Sequence, residues 1–467
     1  MKKQFIFAGI ALGLLIPGLL RGQEIGLLRV NPDSLVSQRE AAVWGGIEEG
    51  QFRPSHGASL QWSAGAGVKS VRHGKKSSTT GALSFEQTTG YHMTSSMLLE
   101  PDYFPLDIVE TAQGTKSRQD ICLEGGVLSD FGYEWAAGIK ASAKASLVSK
   151  QQVRSHNGFG LDLQVEPTLT YVMDDDMGLV SAYVVRLRTE NLKVTDIVDT
   201  KDGTNPFGPF FDKGLRYVSP LQSNVFDIME FSHGISELFY SPELTVGAEI
   251  LWKRGMAGEE KYKFPGSTLS LFAEYTVLAD EADHVMRAGY KRQRDQLREV
   301  TESGFNSLSD RKVRSMDLKY EARFLHGALK SAGIVLDGNQ WNERAFVSSP
   351  NQVRRLYGSA TLLMGFSAGA IDLDLNFMAG KGKWQDRGRT AMNDGSPEPD
   401  RMTDNWLRNM DYQMVARTGL GGTLTCRIPA VKGLYTQLYA YWYHAYNVTN
   451  LPGQNREIGT LKIGYKF

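Results

Sequence analysis

Apolar and polar residues alternate one by one along much of this chain. In Leu60–Val68, Leu60, Trp62, Ala64, Ala66 and Val68 alternate with Gln61, Ser63, Gly65 and Gly67. In Tyr133–Leu147 the odd positions are Tyr133, Trp135, Ala137, Ile139, Ala141, Ala143, Ala145 and Leu147. Phe159–Tyr171 repeats the pattern, as do Leu269–Val277, Met316–Phe324, Leu356–Met364, Ile371–Ala379, Tyr412–Cys426 and Tyr435–Ala445. A period of two places successive side chains on opposite faces of a strand. Many such segments of about ten residues, with no long amphipathic helix between them, predict one closed antiparallel sheet. On the polar face, Asp162, Gln164 and Glu166 carry charge or amide groups, as a wet lumen requires. Pro167 lacks a backbone donor and predicts a bulge.

The last segment, Glu457–Phe467, shows the pattern most clearly. Gly459, Leu461, Ile463, Tyr465 and Phe467 share one face; Thr460, Lys462 and Lys466 share the other, with Gly464 between them. This strand resembles the closing strand of a bacterial outer-membrane β-barrel. The resemblance implies that Leu461, Ile463, Tyr465 and Phe467 form the signal read by the barrel-assembly machinery. At the other end, Lys2 and Lys3 precede an apolar run, Phe5–Leu20, broken by Pro17 and followed by Gly22. That order is a secretory signal peptide over residues 1–22, too short for a bilayer-spanning helix of about 20 residues. No Cys follows it to carry a lipid.

Loop lengths support the same architecture when counted back from Phe467, with the last strand running towards the periplasm. Leu451–Arg456, Lys381–Asn409 and Asp337–Pro350 become outer loops. Pro429–Gly433, Phe366–Ala368, Ala279–Asp283, Asp174–Met177 and Ser129–Gly132 become short inner turns, the expected asymmetry. Residues 191–241 need one weakly marked strand near Ile228–Tyr240. The prediction is an all-β transmembrane antiparallel barrel of about 16 strands, within a range of about 14 to 18. It would span residues 58–467, after an N-terminal lead-in or lumen plug over residues 23–57.

Composition changes the picture little. Lys plus Arg and Asp plus Glu both number 52, so charge gives no argument for nucleic acid. Two cysteines make no disulfide framework. Alternation points Cys122 to the polar side and Cys426 to the apolar side, which predicts free thiols.

Candidate chemistry is sparse. Gly365-Phe-Ser-Ala-Gly369 matches the Gly-x-Ser-x-Gly nucleophile elbow, but a strand pattern follows where the elbow needs a helix. Ser155-His156 and Ser232-His233 are adjacent pairs, and neighbours in a strand face opposite ways. No histidines have metal-ligand spacing, and no cofactor is implied. Lys291, Arg292, Arg294 and Arg298 form a basic stretch in a predicted outer loop. It suits lipopolysaccharide phosphates or another anionic ligand, or else is a solvated loop. Tyr435–Tyr446 is dense in aromatics, with Tyr439, Tyr441 and Tyr443 on one face and Trp442, His444 and Tyr446 on the other. The first set is an interface girdle or, if it faces inward, an aromatic slide. Asn205–Phe211 reads as an apolar loop folded into the lumen or packed on a partner.

As a whole the chain resembles outer-membrane β-barrel proteins of Gram-negative bacteria, and Asn31-Pro32-Asp33-Ser34-Leu35 is faintly similar to the Asn-Pro-Ala segment of fatty-acid-transporter-like barrels. The expected function is a pore or transporter for a small solute or lipid, not an enzyme. The alternatives are an accessory barrel partnering a secretion system or TonB-dependent receptor, and a membrane hydrolase. A TonB-dependent receptor itself, with about 22 strands and a large plug, needs more chain. Expected partners are outer-membrane lipids, lipopolysaccharide, the assembly machinery and an outer-membrane protein.

Overall fold

The computed structural model describes residues 38–74, 76–132, 134–151, 155–174, 176–195, 209–212, 218–221, 223–346, 351–387 and 399–467. The signal-peptide segment, residues 23–37 and most of Asn205–Phe211 lie outside them. The elements in chain order are β1 (Gln38–Gly50), β2 (Leu60–His73), β3 (Ser77–Ser96), β4 (Asp107–Asp130), β5 (Trp135–Gln151), β6 (His156–Asp174), β7 (Met177–Val194), β8 (Phe210–Asp212), β9 (Val218–Pro220), β10 (Val225–Tyr240), β11 (Leu244–Ala257), β12 (Tyr262–Val277), β13 (Ala282–Thr301), β14 (Gly304–Phe324), β15 (Leu329–Ala345), β16 (Asn351–Ala368), β17 (Ile371–Arg387), helix α1 (Pro399–Met414), β18 (Arg417–Arg427), β19 (Leu434–Ala445) and β20 (Asn455–Lys466).

All the described strands belong to one sheet of 20. β8 and β9 form a short hairpin on the tip of β4. The other 18 make the wall, each antiparallel to the next, with β7 paired to β10 and β1 paired to β20 to close the ring. Among the described residues the wall is thus a closed ring with no free edge, the arrangement that pairs wall backbone groups without water.

The wall is turned inside out relative to a soluble protein. Val43, Leu83, Ile121, Ile139, Tyr183, Ile235, Leu271, Leu318, Leu362, Leu420 and Leu461 all point outward and are exposed. Asp120, Gln164, Glu166, Glu230, Asp295 and Arg355 point inward and are buried. A continuous apolar outer belt of this kind is stable only in contact with lipid. No described helix is long and apolar enough to cross a membrane.

Several expectations are corrected. The wall has 18 strands, at the upper end of the expected range of about 14 to 18 rather than at its centre of about 16. It begins at Gln38, inside the segment read as a lead-in or plug over residues 23–57. In β1 only Val43 and Ile47 mark the apolar face strongly, while Glu49 on that face and Trp44 on the inner one blur the pattern. β15 runs on to Ala345 and β17 to Arg387, through stretches read as outer loops. Lys291–Arg298 likewise lies within β13, not in a loop. Strands of 20, 21 and 24 residues (β13, β14 and β4) exceed the roughly 9–11 that cross a bilayer. Where they leave the apolar belt both faces turn polar and the alternation fades. Pro167 makes no bulge: Val165 pairs with Val185 and Thr168 with Ala182, so the register is unchanged across it.

The short turns hold. Gly369, at φ 61°, closes the two-residue turn between β16 and β17, so Gly365–Gly369 is a hairpin and not a nucleophile elbow. The weak segment near Ile228–Tyr240 is β10. Cys122 and Cys426 are free.

Candidate functional site

Gln38 and Phe467 lie at one rim, where the Phe467 N–H donates to the Arg39 carbonyl. At the other rim, called far here, loops fold into the lumen. Loop 97–106, between β3 and β4, carries Met97, Leu98, Leu99, Phe104 and Leu106, all buried. Met97, Leu98, Phe104 and Leu106 pack with Phe211 of β8 and with Phe226, Tyr262 and Phe264 from the wall. This apolar cap closes one side of the opening.

Beneath the cap, charged wall residues grip the same loop. Arg118 of β4 donates to the Leu99 carbonyl at 2.5 Å, and Glu190 of β7 accepts from the Leu99 N–H at 2.6 Å. Glu100 receives Lys144 at 3.0 Å and Arg188 at 3.1 Å. Arg188 also bonds Asp162 at 2.7 Å and lies over the Tyr103 ring, 3.8 Å from its centroid. The Tyr103 hydroxyl donates to Glu230 at 2.7 Å. On the far side Arg311 of β14 donates to the carbonyls of Asp102, Phe104 and Tyr103 at 2.8, 2.8 and 2.6 Å, and to Asp295 at 2.9 Å. The loop therefore crosses the lumen from β4 to β14. The Arg188 guanidinium above all, then Lys144 and Arg118, holds the Glu100 carboxyl well below the usual carboxylate range. A polar pocket remains between loop and wall, lined by Glu100, Arg118, Lys144, Asp162, Arg188 and Glu190.

The base of the loop is anchored by a buried charge cluster. Glu110 meets Lys150 at 2.6 Å and Lys116 at 3.4 Å, and Lys116 also donates to the Ser96 carbonyl at 2.6 Å. Such a cluster is costly to desolvate and rigid once satisfied.

A second set of loops closes the other side. Loop 51–59 is buried from Phe52 to Ser59, and helix α1 lies against β16, β17 and β4. Asn409 of α1 accepts from the N–H and the hydroxyl of Ser55, both at 2.8 Å, and the rings of Phe52 and Tyr412 are 4.9 Å apart. Arg53 donates to the Gly57 and His92 carbonyls at 2.6 and 3.0 Å. Burial pushes the His56 imidazole down, opposed in part by Asp102.

Below α1, Tyr439, Tyr441 and Tyr443 face inward as a ladder, with Tyr441 4.4 Å from Tyr443 and 6.3 Å from Tyr439. Gly419 and Gly421 leave the space that the Tyr441 ring fills. Trp442 and Tyr446 face outward and are exposed. Towards the terminal rim the inner wall is wet: Glu40, Glu124, Arg287, Lys319 and Glu321 are only half buried.

The basic stretch is split by its strand. Lys291 points to the lumen, whereas Arg292 and Arg294 are exposed on the outer face and Arg298 follows them. Ser232 faces inward and His233 outward, 3.0 Å from the Tyr183 hydroxyl. His156 is buried beside Glu110. Ser59 meets His92 at 2.7 Å, but through Nδ1, the nitrogen that an orienting carboxylate would need. Among the described residues no group of three or more His, Cys, Asp or Glu is placed to hold a metal ion. Leu461, Ile463 and Phe467 line the outer face of β20, with Tyr465 4.7 Å from Phe467. Sequence reading missed loop 97–106 and its clamps. Its apolar runs, Met97-Leu98-Leu99 and Tyr103-Phe104-Pro105-Leu106, are the signal that marks an in-folded loop.

No family model and no curated protein sequence matches the chain. Among solved structures, the FrpB iron transporter of Neisseria meningitidis aligns at 8% identity and TM-score 0.46, covering 94% of this chain and 83% of that one. The alcaligin outer-membrane receptor FauA of Bordetella pertussis aligns at 9% and 0.46, covering 91% and 76%. The ferric citrate transporter FecA aligns at 9% and 0.40, covering 92% and 78%. Identities this low tie no residue of this chain to a residue of theirs.

Proposed function

We propose that the protein is an outer-membrane barrel that passes a small solute through its lumen, and that the state described is the closed one. The observation that carries this reading is loop 97–106. It is part of the chain itself, it crosses the lumen, and it is held by ion pairs and hydrogen bonds rather than by a continuous sheet. Elements of this kind exchange between two positions more readily than wall strands do. Below the loop the wall is wet and charged, as a solute path needs. The inward tyrosines beside α1 offer that path ring faces and hydroxyls, suited to a polar solute with an apolar face.

The far rim is the outer one on this reading. It has the long loops, and β20 runs from it to the rim that holds Phe467. Solute uptake by liposomes carrying the purified protein tests the proposal. Swelling with small sugars or amino acids that rises when Arg118 and Arg311 are both replaced by Ala is the expected result. Equal, protein-free rates for native and double variant would remove transport as the function. A second reading, an accessory barrel whose lumen stays sealed, is favoured by the apolar cap of Phe104, Phe211 and Phe264. It predicts no uptake by either form.

A further inference from the structure

The outer face of the barrel is strongly asymmetric in charge just beyond the apolar belt. The cross-strand register places Arg294 of β13 beside Lys312 of β14, and Arg292 beside Arg314. The first row continues through Asn342 to Arg354 of β16, and the second through Gln340 and Leu356 to Lys383 of β17. Lys263 of β12 faces Arg298 in the same way. Arg292, Arg294, Arg314, Arg354 and Lys383 are exposed. One step below these rows come Leu271, Tyr290 and Met316, the edge of the apolar belt. At the same level on the opposite side, β4 and β5 present Ser117, Gln119 and Ser149, which are neutral.

Like charges directly opposite each other on neighbouring strands repel, and here three such pairs stand together. At their outward positions, β11 to β17 offer one carboxylate to offset them, Asp310, which bonds Arg294 at 3.2 Å and Lys312 at 3.4 Å. Glu259, Glu260 and Glu302 sit in turns beyond the strand ends. A partner that covers this face must therefore bring negative charge at the height of these rows and apolar chains below them. A protein partner would need an acidic patch continuous with a greasy one. A phosphorylated glycolipid of the outer leaflet has both parts by construction, at the right spacing from one another. The geometry points to β12–β16 as a binding face for the phosphates of such a lipid, with Arg292, Arg294 and Arg314 as its centre. Arginine suits this role because its planar fork matches phosphate oxygens in pairs. The assignment does not depend on what crosses the lumen, since every side chain in it faces away from the lumen.

The test is native mass spectrometry of the full-length protein in detergent, titrated with purified lipopolysaccharide. Four arms accompany it: the same lipid dephosphorylated, inorganic phosphate alone, the variant Arg292→Gln/Arg294→Gln/Arg314→Gln, and the triple Lys variant Arg292→Lys/Arg294→Lys/Arg314→Lys. Native protein should retain the phosphorylated lipid and lose it on dephosphorylation. The triple Gln variant should bind roughly a hundredfold more weakly. Inorganic phosphate should not compete; competition would mean a free-anion site and overturn the lipid assignment. Equal affinity of native and variant, or indifference to dephosphorylation, would also overturn it. The triple Lys variant keeps the charge and should retain most of the binding. If it assembles but binds no better than the Gln variant, phosphate recognition by charge is refuted. Should the Gln variant fail to assemble, the native and Lys proteins still decide the outcome through the dephosphorylation arm.

Discussion

Arg118 on β4 and Arg311 on β14 hold one loop from nearly opposite sides of the lumen. Arg118 donates to the Leu99 carbonyl, and Arg311 donates to those of Asp102, Tyr103 and Phe104. Backbone carbonyls are ordinarily satisfied within a sheet or by water. Here two wall guanidiniums take both roles, so the loop's position depends on them.

Removing one clamp should release the loop without unfolding the wall. Arg311→Ala leaves Asp295 with the Gln293 amide at 2.6 Å and Lys253 at 3.8 Å, and strands three carbonyls. Breaking a buried pair in this way costs about 3–5 kcal/mol. Amide hydrogen exchange in residues 97–106 should accelerate sharply while exchange in β13 and β14 stays slow. Arg311→Lys should recover only part of the protection, because an ammonium cannot reproduce the guanidinium fork.

Acidification should loosen the two lid segments at different points. His56 is buried and its imidazole is held neutral in loop 51–59. Once released, the loop would titrate near the ordinary value of about 6.5. The released form therefore binds more protons as pH falls below that value, and docking of loop 51–59 weakens there. Glu100 is depressed instead, chiefly by Arg188, so its contribution to docking is full above the ordinary carboxylate value of about 4.3 and is lost progressively as pH falls below it. Exchange in 51–59 should rise between about pH 7 and 5, with 97–106 still protected at about pH 5. Both segments opening together would contradict this assignment of groups.

The tyrosine ladder rests on absent side chains. A Cβ on Gly421 would lie 2.2 Å from the Tyr441 ring and 2.7 Å from the Ala440 carbonyl. Gly421→Val should overpack the site and destabilise the barrel by about 1–3 kcal/mol. Gly459→Ala, where nothing lies within 4 Å, should leave thermal stability unchanged. Loss of the heat-modifiable form at a lower temperature is the readout.

Phe467 is 73% exposed on the outer face, so it contributes little to packing in the finished barrel. Phe467→Gln should therefore leave the midpoint of thermal unfolding close to native, yet reduce the amount of assembled barrel in the outer membrane. Normal amounts would contradict its reading as an assembly signal.

What the sequence made legible follows the lipid belt. Strands such as β5 and β6 alternate because one face meets lipid and the other water, and that contrast is written residue by residue in Trp135–Leu147 and Phe159–Tyr171. Beyond the belt the contrast ends. β13 continues through Arg292, Gln293, Arg294 and Asp295 with polar groups on both faces, and reads as a loop. Helix α1 has an apolar face, with Met410, Tyr412 and Met414 buried, but it is polar overall and overlaps the stretch Lys381–Asn409 that reads as an outer loop. The site itself depends on contacts between residues far apart in sequence, such as Arg311 with Tyr103, and no local pattern encodes those. Phe210 and Phe211 are the exception, since two aromatics in an irregular stretch announced an in-folded loop.

The central claim is that loop 97–106 closes its side of the lumen, next to the side covered by loop 51–59 and α1, and that removing it opens a path. Single-channel conductance in planar bilayers tests it most directly, with native protein compared against a variant lacking Leu98–Pro105. The account predicts a native barrel that is silent or briefly open, and a variant with stable, larger conductance steps in the same orientation. Equal silence in both, from a variant that still assembles and is heat-modifiable, would contradict it.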